Sequence, residues 1–195
     1  MKSLFVSLLG AGALLALSST AQAGSELPTG LFVSASVGGA GIETQSIGLV
    51  ETGDTEHGNG AGKVSVGYWF SQHWGVAASY AELGKFTQTY TTGSFRGRVR
   101  SAGVSLLGRL PVNERWSLIG KLAINYNKTT QVSVTGDAAQ FAKLQGHPTR
   151  LVFPGFEVNY RLSPAASLFF EMESRGKAAE SLKTGYAGFG LRWQF

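Results

Sequence analysis

The sequence predicts an all-β chain, an eight-stranded antiparallel up-and-down transmembrane β-barrel. Three observations point there. Eight segments alternate apolar and polar side chains with a period of two, as strands do when their faces meet different surroundings. The connections alternate too, short at one end and long and polar at the other. Beyond the N-terminal leader no apolar run is long enough for a membrane helix, so any passage through lipid needs strands closed on themselves.

The leader, residues 1–23, reads as a secretory signal peptide: Lys2 is its positive n-region, Leu4 to Leu17 its apolar region, and Ala21-Gln22-Ala23 its small-residue cleavage site. Cleavage before Gly24 leaves residues 24–195 as one barrel domain and, with Lys2 gone, lowers the formal net charge from +5 to +4. That charge is too diffuse for a nucleic-acid partner but suits an anionic lipid surface. There is no cysteine, hence no disulfide and no thiol chemistry.

In the first segment, 31–40, Leu31, Val33, Ala35 and Val37 oppose Ser34 and Ser36. The second, 63–70, sets Val64, Val66, Tyr68 and Phe70 against Lys63, Ser65 and Gly67. The third, 74–83, has Trp74, Val76, Ala78 and Tyr80 on its apolar face. In the fourth, 100–110, Ala102, Val104, Leu106 and Leu110 oppose Ser101, Ser105 and Arg109. The fifth, 116–126, sets Trp116, Leu118, Leu122, Ile124 and Tyr126 against Ser117, Lys121 and Asn125. The sixth, 150–162, opposes Val152, Phe156, Val158, Tyr160 and Leu162 to Glu157, Asn159 and Arg161; Pro154 lacks a ladder donor and predicts a bulge or an extramembrane position. The seventh, 167–175, sets Leu168, Phe170 and Met172 against Glu171, Glu173 and Arg175. The last, 186–195, puts Phe189, Leu191, Trp193 and Phe195 opposite Arg192 and Gln194.

Tight connections are expected at 71–73, 112–115 and 163–166; long ones at 41–60, 85–97 and 127–148, with a shorter one near 176–183. That asymmetry describes a bacterial outer-membrane barrel with periplasmic turns and extracellular loops. With eight strands its interior holds side chains and no wide channel, which suits the 27 glycines.

The stretches GYWFSQHWGVAASYAELGKF (67–86), VSLLGRLPVNERWSLIGKLAINY (104–126) and FEVNYRLSPAASLFFEME (156–173) resemble the OmpA-type transmembrane domain, over nearly all of residues 24–195. The resemblance implies a non-enzymatic, monomeric barrel in the Gram-negative outer membrane. The chain ends at Phe195, so the peptidoglycan-binding domain of full-length OmpA is not expected; small stand-alone barrels of the OmpX type are the nearer comparison. The function this implies is envelope integrity, with surface loops available for adhesion or recognition of a host or surface ligand; the alternative is a narrow pore for small solutes. Gly190, Trp193 and the terminal Phe195 resemble the signal read by the barrel assembly machinery.

Candidate sites follow from parity and height. Tyr68, Phe70, Trp74, Trp116 and Tyr160, joined by Trp193 and Phe195, gather near the short turns as a periplasmic aromatic girdle, while Tyr80, Phe86 and Tyr126 lie toward the long loops. On the enclosed face Lys121, Glu157 and Glu171 stand at similar heights, with Arg192, Arg161 and Glu173 around them, and are expected to pair as a lumen charge network. On the outward face Arg96, Arg98, Arg100, Lys128 and Arg150 are expected at outer-leaflet level, where arginine forks suit the phosphates of lipopolysaccharide.

Catalysis is not expected. Barrel enzymes that modify lipid A resemble hydrolases with a lipid-facing His-x-Ser pair, whereas His57, His73 and His147 fall in connections and none is followed two positions on by serine. Glu51, Asp54, Glu56 and His57 crowd the first loop without metal-ligand spacing, and no cofactor motif is present. The competing fold is a soluble, lipocalin-like barrel with its apolar face inward.

Overall fold

The computed structural model describes residues 27–44, 56–57, 60–90, 93–135, 152–179 and 182–195. These form β1 (Gly30–Thr44), β2 (Glu56–His57), β3 (Ala61–Trp69), β4 (Trp74–Tyr90), β5 (Gly93–Pro111), β6 (Trp116–Thr135), β7 (Val152–Arg161), β8 (Ala166–Ala179) and β9 (Leu182–Gln194). All pairings are antiparallel; β4 joins β5 and β9 returns to β1, so the sheet closes. The short β2 lies on β4 where β3 leaves off and belongs to the same stave, which makes the barrel eight-stranded. Arg150, Glu51, Asp54 and His147 lie outside the described residues, as does the predicted signal peptide.

Each tight turn is closed by its own side chain. Ser71 Oγ accepts from the amide of Trp74 (3.0 Å), Asn113 Oδ1 from Trp116 (2.9 Å), and Ser163 Oγ from Ala166 (3.0 Å). At the opposite end the strands run further than their apolar faces do. β4 continues to Tyr90 and β5 begins at Gly93, where a loop over 85–97 is expected, and β6 continues to Thr135. β8 and β9 likewise reach Ala179 and Leu182. Threonine-rich stretches such as TQTY and NKTTQVSV have high strand propensity without an apolar face. A span needs roughly 9–11 residues, so strands of 19 and 20 residues project well past the membrane.

Two local expectations are corrected. Phe86 shares the outward parity of Tyr80 in the sequence, yet it is buried inside. The register shifts between Glu82 and Lys85, where Gly84 adopts φ +86°, and this bulge reverses every face beyond it. Pro154 causes no register shift: it stays opposite Leu122. Arg161 donates its amide toward β6 and Leu162 toward β8, so by alternation the Pro154 nitrogen faces β8. That ladder begins only at Gly155, and no donor is missed.

The outward face carries Leu31, Val33, Val64, Val104, Leu122, Ile124, Phe189 and Leu191, all exposed. The interior is more apolar than strand alternation alone predicts: Phe32, Trp69, Ala77, Leu107 and Ile119 form a buried layer toward the short-turn end. Inward glycines make the room. A Cβ on Gly75 would stand 2.7 Å from Trp69 Cε3, and one on Gly67 would enter the Phe32 ring.

Candidate functional site

Above that apolar layer lies a belt of ion pairs drawn from five staves. Lys121 Nζ sits 2.7 Å from Glu157 Oε2, 2.6 Å from Glu171 Oε2 and 3.3 Å from Glu173 Oε1. Arg192 grips Glu157 with both nitrogens of its fork, at 2.7 and 2.9 Å. Across the lumen Lys63 pairs with Glu171 and Glu173, and on β8 itself Arg175 pairs with Glu173 at 2.7 Å. Arg175 also donates to Ser101 Oγ (3.0 Å). Ser36 Oγ donates to Glu171 Oε1 (2.7 Å) and accepts from the Tyr186 hydroxyl (2.9 Å). Excluding water is affordable for these charges only because they satisfy one another.

Local packing sets the belt's shape. Glu173 lies opposite Gly155 in register, and a Cβ there would approach Glu173 Cγ to 3.0 Å and Lys121 Cβ to 3.3 Å. Glycine therefore lets two long side chains share one narrow place. Below, the Arg192 guanidinium lies over Phe32 and Phe169, 4.8 and 5.1 Å from the ring centres.

Of the lumen residues named from sequence, Lys121, Glu157, Glu171, Glu173 and Arg192 meet in this belt. Arg161 does not lie at that height: it stands at the short-turn rim, where its fork donates to the carbonyl of Glu114. Lys63 and Arg175 belong to the belt without having been singled out. Both share the polar parity of their segments, and that was the available signal. A cavity beside the belt has about 20 Å³ of space for water centres, room for a water or two.

Outside, Tyr80, Ala102 and Tyr126 are register neighbours, and one step further from the short turns come Glu82, Arg100 and Lys128. The side chains of Arg96, Arg100 and Lys128 are exposed and that of Arg98 half-buried. Arg98 pairs with Glu82 at 3.4 Å, and Arg96 donates to Thr87 Oγ1 at 3.3 Å. Toward the short turns Tyr68, Phe70, Trp74 and Trp116 point outward. Tyr160 is half-buried, its ring 4.8 Å from that of Trp116, and it accepts from Arg115 (3.1 Å). Trp193 and Phe195 point outward, and the Phe195 amide donates to Leu31, tying the last strand to the first. Glu56 and His57 pair with β4 instead of lying in a loop. Among the described residues no group of three metal-ligating side chains comes together.

A closed barrel with short turns at one end, an apolar outer band and enclosed charges is a membrane barrel, and the comparisons agree. The chain belongs to the outer membrane protein beta-barrel domain family, whose model matches residues 9–195. It is a bacterial outer-membrane barrel in class. Among solved structures it is similar to Ail of Yersinia pestis in complex with sucrose octasulfate: 17% identity, TM-score 0.56, 86% of this chain and 99% of that one. It is similar also to Neisserial surface protein A (17%, 0.52, 85% and 97%). OprG of Pseudomonas aeruginosa is a third (13%, 0.53, 85% and 97%). At such identities the likeness is one of fold. Comparison with curated proteins finds no match.

Proposed function

We propose that this protein is a closed, non-enzymatic, monomeric outer-membrane barrel that supports envelope integrity by holding lipopolysaccharide phosphates on its outer basic face. The observation that carries this reading is the row in which Arg100 and Lys128 are register partners immediately above the outward Tyr80 and Tyr126. Arg98 and Arg96 continue it further from the short turns. Cations at that depth meet phosphate rather than acyl chains, and arginine forks bind it bidentately. Arg150, the fifth cation of the patch expected from sequence, lies outside the described residues. In this reading residues 1–23 are removed on export, and Gly190, Trp193 and Phe195 present the last strand to the assembly machinery. The outer loops remain available for adhesion or recognition.

Arg96→Gln, Arg98→Gln and Arg100→Gln combined tests it: lipopolysaccharide co-purifying with the folded barrel falls. Unchanged co-purification rejects the phosphate reading. The narrow-pore alternative draws no support from a lumen crossed by Lys63, Lys121, Arg175 and Arg192, with three glutamates between them.

A further inference from the structure

The short-turn mouth gathers cations that belong to neither the outer patch nor, apart from Arg192, the belt. A cavity there has about 40 Å³ of space for water centres and is lined by Arg109, Arg115, Arg161 and Arg192, with Glu114 as the one lining carboxylate among the described residues. Arg109 is nine-tenths buried. Its guanidinium lies flat on Trp69, 3.7 Å from the ring centre, and Nη1 reaches the Pro28 carbonyl at 3.3 Å. Among the described residues no carboxylate pairs with it. Arg192, equally buried, spends both terminal nitrogens on Glu157, while its Nε has no partner. Stacked on a ring face and with one long contact to a carbonyl, the Arg109 guanidinium keeps N–H donors for a further acceptor, and its planar fork matches an oxyanion. Polar side chains flank the place: Asn159 donates to Ser167 at 3.1 Å, and Gln194 to the same Pro28 carbonyl at 3.2 Å.

We propose that the short-turn mouth is an oxyanion-binding vestibule, centred on Arg109 beside Arg192, which takes the phosphate or carboxylate group of a small periplasmic solute. The volume suits one such group and little more. Short turns face the periplasm in this class of barrel, so the vestibule samples a different compartment from the outer patch. Loss or retention of lipopolysaccharide binding has no bearing on it.

The test uses the full barrel refolded in zwitterionic micelles, titrated with inorganic phosphate and separately with acetate, each against chloride of equal ionic strength. The Trp69 indole N–H and Arg109 guanidinium resonances are followed. A saturable shift with phosphate, acetate or both, and none with chloride, is expected; the stronger of the two identifies the group. Arg109→Gln should weaken binding roughly tenfold, a loss of about 1.4 kcal/mol. Should that variant fail to fold, Arg109→Lys keeps the charge but not the fork, and weaker binding there supports the vestibule equally. Shifts that follow ionic strength alone, or unchanged affinity in the folded Arg109 variant, overturn the proposal.

Discussion

Glu157 and Glu171 lie directly opposite one another on β7 and β8, both fully buried, and the ammonium of Lys121 sits 2.7 Å from the first and 2.6 Å from the second. Like charges in that position repel across the ladder. One shared cation turns the repulsion into a bridge, while Arg192 and Lys63 hold the outer sides of the two carboxylates. The belt is therefore a unit with Lys121 at its centre.

Lys121→Met should consequently destabilise the barrel by about 3–5 kcal/mol, since it leaves facing buried carboxylates with their common partner removed. Adding Glu171→Gln should restore much of the loss, because Glu157 keeps Arg192 and Glu173 keeps Lys63 and Arg175. Urea unfolding in lipid vesicles, followed by heat-modifiable mobility, measures both. A single variant as stable as the parent contradicts the bridge.

The apolar layer makes a separate demand. Gly67→Ala drives a Cβ into the Phe32 ring and toward the Val76 carbonyl, and overpacking of this kind costs about 1–3 kcal/mol. Phe32→Leu in the same chain should relieve part of it. If Gly67→Ala unfolds at the parent's urea concentration, the inward aromatic packing described for this end is wrong.

Sequence alternation located the faces wherever lipid and lumen differ sharply. The outward Phe189, Leu191, Trp193 and Phe195 and the inward Arg192 were legible because each neighbour contrasts with the next. In YWF (68–70) every residue is large, so parity alone had to place Trp69 inside; the same parity turns Gly67 and Gly75 inward but does not say which rings they make room for. Past the membrane the contrast vanishes: Thr87, Thr89, Thr129 and Thr130 suit either face, and strands there resembled loops. The belt was half legible. Height and parity brought Lys121, Glu157 and Glu171 together, but which stave stands across the lumen is a property of closure, and Lys63 was missed for that reason.

The bulge at Gly84 gives a third prediction. Its φ of +86° lies where a Cβ crowds the carbonyl, and the parity reversal that buries Phe86 depends on the extra residue. Gly84→Val should cost at least about 1–2 kcal/mol on this account. Because the bulge lies near the long-loop end of β4, protease sensitivity there should rise before the barrel as a whole unfolds. A variant with unaltered stability and digestion would show that the bulge is not structurally required.

The lumen is obstructed twice, and conductance follows from that. The ionic belt fills the middle, while Phe32, Trp69, Leu107 and Ile119 close the barrel toward the short turns. An ion crossing either layer alone would lose its hydration without gaining equivalent ligands. In planar bilayers the parent protein should therefore show no steady single-channel current. Weakening the belt with Lys121→Met and Glu171→Gln should not open it, because the aromatic layer still stands. Replacing Trp69 and Phe32 with alanine should not open it either, because the belt remains; only the combined variant should conduct. Steady ion steps from the parent, or from either half-altered barrel, would mean that one layer never was a barrier.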